Sequence, residues 1–113
     1  MPYLKIQVNK NLNTEEEIIQ KASKLIAEEL GKPESYVMVL FEPEVKLAFG
    51  GSMEPAVFME LKSIGLDDTK TEGLSRTLCN FSEKELGVSK DRVYIEFKDA
   101  SGSMWGWNGS TFS

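Results

Sequence analysis

Residues 29–41 read ELGKPESYVMVLF and residues 85–97 read ELGVSKDRVYIEF, two stretches standing 56 residues apart (29 to 85) that carry the architecture. In each, Glu-Leu-Gly closes a helix, because a glycine just past the last apolar residue takes up the left-handed conformation at which helices stop. Pro33 confirms the stop in the first copy. Each copy then runs into a β-branched and aromatic segment in which Val37, Val39 and Phe41 align with Val93, Ile95 and Phe97. A repeat on this scale outranks any local feature.

Working outward, both copies have the same antecedents. Ile18, Ile19, Ala22, Leu25, Ile26 and Leu30 form one helical stripe. Asn11 to Thr14 offer a cap, and Glu15, Glu16 and Glu17 bring negative charge to the first turn. Before that, Leu4, Ile6 and Val8 alternate with Lys5, Gln7 and Asn9, the period of a half-buried strand. The second copy is preceded by an alternating strand over 57–64, a stop at Gly65, a cap at Asp67-Asp68-Thr69 and a helix marked by Leu74, Leu78, Phe81 and Leu86. The expected fold is α/β (α+β): a duplicated β-α-β unit in one domain over 1–113. Parallel right-handed crossovers then give a four-stranded mixed sheet with two helices on one face. Residues 36–41 look apolar on both faces, yet the second sheet face has nothing in the chain to cover it. That conflict predicts an oligomer.

Composition narrows the function. The chain of 113 residues has 13 Lys and Arg against 18 Asp and Glu, a formal charge of −5. It lacks the basic footprint that nucleic acid or an anionic membrane surface requires. With no histidine and one cysteine, Cys79, it has neither an internal disulfide nor a conventional zinc site nor a histidine-activated nucleophile. Gly50-Gly51-Ser52 lacks phosphate-loop spacing and reads as a tight turn. The start has no basic segment followed by an apolar run, so a cytoplasmic location, or export without a leader, is expected.

Pro2 is the residue with chemical promise. Initiator methionine is removed before a small residue, which would leave a free secondary amine. An α-amino group titrates near ~8, well below lysine near ~10. Burial and a neighbouring cation lower it further, making a general base at neutral pH. The structural alternative is an edge-strand start at which the missing N–H is harmless.

MPYLKI (1–6), GKPESYV (31–37), FGGSMEPA (49–56), SIG (63–65), DRVYIEFKD (91–99) and GWNGSTF (106–112) together resemble the macrophage migration inhibitory factor family. The resemblance implies a homotrimer with active sites between subunits, and keto–enol tautomerisation of aromatic 2-keto acids such as phenylpyruvate, or of dopachrome-like compounds, without a cofactor. It assigns Pro2 as the base and Lys32 as the cation that binds the substrate carboxylate. It gives the Ile64 backbone N–H a supporting role, has Tyr94 lent by a neighbouring subunit, and makes Tyr36, Trp107 and Phe112 the aromatic wall. Two positions depart from the family pattern. Glu96 would place a carboxylate near the pocket mouth, and Trp105 would narrow the pocket. The thiol pair of some relatives is missing, since residues 56–59 read AVFM. The resemblance also carries an alternative, a cytokine-like ligand for a receptor outside cells with vestigial tautomerase activity. A further one is an unsaturated or halogenated acid as substrate.

Overall fold

The computed structural model describes residues 1–113. Alternation at Leu4, Ile6 and Val8 produces β1 (Tyr3–Val8), with these three side chains fully buried. The stripe after it forms α1 (Glu15–Leu30), which buries Ile18, Ala22 and Ile26. Thr14 caps this helix through its backbone alone: its carbonyl accepts from Ile18 N–H at 3.0 Å, while its hydroxyl makes no capping bond. The three first-turn glutamates are left to answer the dipole. Gly31, at φ 62°, ends α1, and its N–H and that of Lys32 donate to the carbonyls of Glu28 and Ala27. That paired closure aims the chain at the next strand.

β2 (Met38–Glu42) is shorter than the sequence predicts, because Glu34–Tyr36 form a 3₁₀ turn after Pro33. It is also not buried on both faces within the chain: Met38 is 65% and Leu40 40% exposed, while Val39 and Phe41 pack on the core. β3 (Val57–Ile64) alternates as expected, with Val57, Met59, Leu61 and Ser63 buried. Asp67 accepts from Thr69 N–H at 2.9 Å and starts the turn into α2 (Thr71–Phe81). The predicted helix continues to Leu86 only through a π-helical turn, Ser82–Leu86, before Gly87 stops it at φ 67°. There the buried Ser82 hydroxyl donates to the Val88 carbonyl at 3.1 Å. β4 (Val93–Ala100) follows, then a hairpin of β5 (Gly106–Trp107) and β6 (Ser110–Thr111).

The sheet order is β2-β1-β3-β4, with parallel pairs β1–β2 and β3–β4 joined by antiparallel β1–β3. Two β-α-β units therefore meet at a pseudo-twofold between β1 and β3, as the repeat requires. The helices cover one face and enclose a core of 15 buried apolar residues. The other face carries three registered rows: Met38–Tyr3–Lys62–Lys98, Leu40–Lys5–Glu60–Glu96 and Glu42–Gln7–Phe58–Tyr94. No helix is long and apolar enough to cross a membrane.

Candidate active site

Pro2 enters β1 with its ring fully buried, and its carbonyl accepts from the Met38 N–H at 3.0 Å. The parallel pairing of β1 with β2 thus fixes the proline backbone. Beside it opens a cavity of about 400 Å³. Its walls are Met1 and Pro2 ahead of β1, Tyr3 and Lys62 from β1 and β3, Ser35 to Met38 from the approach to and start of β2, and Trp105, Gly106, Trp107 and Phe112 from the C-terminal segment. A small ring-bearing molecule suits such a space, and eight of the 12 lining residues are apolar.

The aromatic wall is built by local chain chemistry. Trp107 and Ser110 pair across a turn in which Asn108 and Gly109 hold φ of 53° and 77°, the Asn-Gly geometry that matches strand twist. Phe112 N–H is shared between the carbonyls of Gly102 at 3.0 Å and Trp105 at 3.2 Å. Gly102 allows this close approach, since a Cβ there would lie 2.5 Å from the Phe112 carbonyl oxygen. The result is a cluster of three rings. Trp107 stacks on Phe112 at 5.7 Å, and Tyr36 meets them edge-on at 5.7 and 5.9 Å. Each such pair contributes about 0.5–1.5 kcal/mol beyond its buried area.

Electrostatics favour a neutral amine. The Met1 α-amine is held below its ordinary value, first by partial burial and second by the positive charge of Lys32. Both causes disfavour the ammonium form. Lys32 stands just past the end of α1, where the helix closure described above sets its backbone. No aspartate or glutamate lines the cavity.

One chain brings Pro2, Tyr36, Trp105, Trp107 and Phe112 together around the cavity, with Lys32 close enough to act on the amine. It does not bring Lys32, Ile64, Tyr94 or Glu96 into the lining. Ile64 pairs with Ala100 at the last position of the β3–β4 ladder, two residues past the Lys62 that faces Tyr3 and so at the Pro2 end of the sheet, and Glu96 lies beside Glu60 on the open sheet face. Tyr94 is 64% exposed in the row through Gln7, while the Pro2 side of the sheet begins at the row through Tyr3. Tyr94 packs on Phe49 at 4.5 Å and lines a separate cavity of about 230 Å³.

Two residues escape the sequence reading. Lys62 reaches the cavity because it pairs with Tyr3, a register that depends on the antiparallel β1–β3 contact and leaves no local trace. Arg92 clamps the loop before β3. Its guanidinium donates to the carbonyls of Phe49, Ser52, Glu54 and Pro55 at 2.9–3.2 Å and lies 5.0 Å from the Phe49 ring centre. An arginine directly before a strand is the only signal for it.

A family model described as macrophage migration inhibitory factor (MIF) matches residues 1–113. Among curated proteins, a macrophage migration inhibitory factor homolog from Trichinella spiralis is 37% identical over 114 residues, covering 99% of this chain and 100% of that protein. A homolog from Brugia malayi is 39% identical over 118 residues, covering 99% of each. Among solved structures, a macrophage migration inhibitory factor homologue from Prochlorococcus marinus superposes with a TM-score of 0.93 at 41% identity, over 98% of this chain and 99% of that one. The Trichinella spiralis structure gives 0.89 at 33% identity, over 97% and 99%.

Proposed function

The chain belongs to the macrophage migration inhibitory factor family, and from that premise we propose that it is a cofactor-free keto–enol tautomerase of aromatic 2-keto acids such as phenylpyruvate, with Pro2 as its base. Removal of Met1 bares the Pro2 nitrogen at the floor of the aromatic-walled cavity. Burial and Lys32, which already depress the Met1 amine, act on that nitrogen in the same sense. The neutral amine takes a proton from the carbon beside the keto group. The electron pair moves into the new carbon–carbon double bond, and the carbonyl oxygen gains the charge. The proline ammonium then returns its proton to that oxygen, giving the enol, and the reverse sequence restores the ketone.

Each remaining residue has a part in this scheme. Lys32 binds the substrate carboxylate and keeps the amine neutral. Tyr36, Trp107 and Phe112 hold the aromatic ring and exclude water, which preserves the base in its uncharged form. Trp105 narrows the cavity. Assembly as a homotrimer covers the open sheet face and carries Tyr94, with Glu96 beside it on β4, toward a neighbour's pocket. The Ile64 N–H supports the same carboxylate that Lys32 binds. The observation that carries the reading is the buried Pro2 ring at the floor of a cavity with a three-ring wall and no acidic group.

The test follows ketonisation of enol phenylpyruvate by its ultraviolet absorbance, with protein whose loss of Met1 has been verified by mass. Turnover well above the buffer rate supports the proposal. A rate equal to that of buffer rejects it.

A further inference from the structure

Two cations flank Pro2, and the mechanism uses one. Lys32 approaches from the β2 side, at the end of α1, and its charge acts on the amine. Lys62 approaches from β3, on the opposite side of β1 in the strand order, and lines the cavity. Its ammonium lies 5.8 Å from the centre of the Tyr3 ring, which supports the side chain without using its donors. Its nearest carboxylate is Glu60 Oε1 at 3.9 Å, beyond hydrogen-bond range, and Glu60 is shared with Lys5 at 3.8 Å. An ammonium has three N–H donors, and a half-exposed pair at that distance holds it weakly. No carboxylate of the chain lines its own cavity, so the charge that Lys62 has to outweigh there is the Glu96 carboxylate that the proposed assembly carries toward the pocket.

We propose that Lys62 binds a second anionic group on the substrate, so that the preferred substrate is a 2-keto acid carrying a second carboxylate at its far end. The inference deepens the tautomerase reading and rests on it: Lys32 takes the carboxylate next to the keto group, and Lys62 takes the distal one. Lys62 is then a specificity-determining residue and plays no part in proton transfer.

The experiment compares phenylpyruvate with 4-carboxyphenylpyruvate on the wild type, Lys62→Met and Lys62→Arg. Methionine keeps the apolar stem and removes the charge, while arginine keeps the charge. Lys62→Met should lower kcat/KM for the dicarboxylate on the order of tenfold, mainly through KM, and leave phenylpyruvate within about twofold. Lys62→Arg should retain most of the preference. Calorimetric binding of both acids to Pro2→Ala protein separates this inference from the identity of the base, because the preference for the dianion must persist there and vanish when Lys62→Met is added. Equal losses on both acids, or no loss on either, would overturn the assignment. Failure of the wild type to turn over either acid would instead reject the tautomerase reading, with the binding comparison still deciding the role of Lys62.

Discussion

The Pro2 carbonyl and the Met38 N–H lie 3.0 Å apart, so the hydrogen bond that begins the β1–β2 ladder also sets the floor of the cavity. On the proposed reading Pro2 is a base held by sheet pairing, which needs no loop ordering before reaction. Leu4, two residues further on, is fully buried in the core.

Lys32 gives a pH signature. The Met1 α-amine is depressed by burial and by this cation, and on the proposed reading the same two causes act on the Pro2 amine that loss of Met1 exposes, of which only the neutral form accepts a proton. Lys32→Ala removes one of the two causes, so the amine moves back up toward its ordinary value. The acidic limb of kcat/KM should therefore shift to higher pH, and KM for phenylpyruvate should rise more than KM for an uncharged analogue. Steady-state kinetics across pH measure both. An unmoved acidic limb would remove Lys32 from the neighbourhood of the base.

Gly102 tests the aromatic wall. An added Cβ would lie 2.5 Å from the Phe112 carbonyl oxygen and 2.8 Å from its carbon, and backbone cannot swing aside as a side-chain tip can. Gly102→Ala should cost about 1–3 kcal/mol of stability, the range for forced overpacking. It should also raise KM for phenylpyruvate as Phe112 leaves Trp107. Thermal unfolding together with kinetics reads the two effects.

Arg92 tests the other end of the sheet. Arg92→Met strips four carbonyls of the 49–55 loop of a charged donor, at a cost of about 1–3 kcal/mol. Phe49 then loses its cation and Tyr94 its fixed neighbour. If Tyr94 serves an adjacent subunit's pocket, tautomerase activity falls as well, although Arg92 touches no residue of the Pro2 cavity. Stability loss with undiminished kcat/KM would separate Tyr94 from catalysis.

These residues also show what the sequence could and could not reveal. The duplicated unit was legible because Gly31 and Gly87 close helices at the same point of each copy and the strands after them align residue by residue. The π-helical turn was not, since it accompanies a bond from the Ser82 hydroxyl to the Val88 carbonyl that has no period. The uncovered face was legible as a conflict in 36–41, and Met38 and Leu40 are indeed its exposed members. Pro2, Tyr36, Trp105, Trp107 and Phe112 were named from motifs more than 30 residues apart, and the fold gathers them. Lys62 stayed hidden because cross-strand register between β1 and β3 is a tertiary fact.

Assembly is the next expectation. Light scattering at micromolar concentration should give about three times the 12.7 kDa chain mass. A stable monomer would leave Met38, Leu40 and Tyr94 in water and would rule out a pocket shared between subunits.

The most direct measurement is the rate of phenylpyruvate tautomerisation by Met1-free protein against Pro2→Ala, both verified by mass and matched in fold by circular dichroism. Alanine keeps an N-terminal amine but makes it primary and frees it from the ring. The account predicts a loss of about 100-fold or more in kcat, the scale of a positioned general base. A variant within about threefold of the parent would contradict it and place the base elsewhere in the cavity.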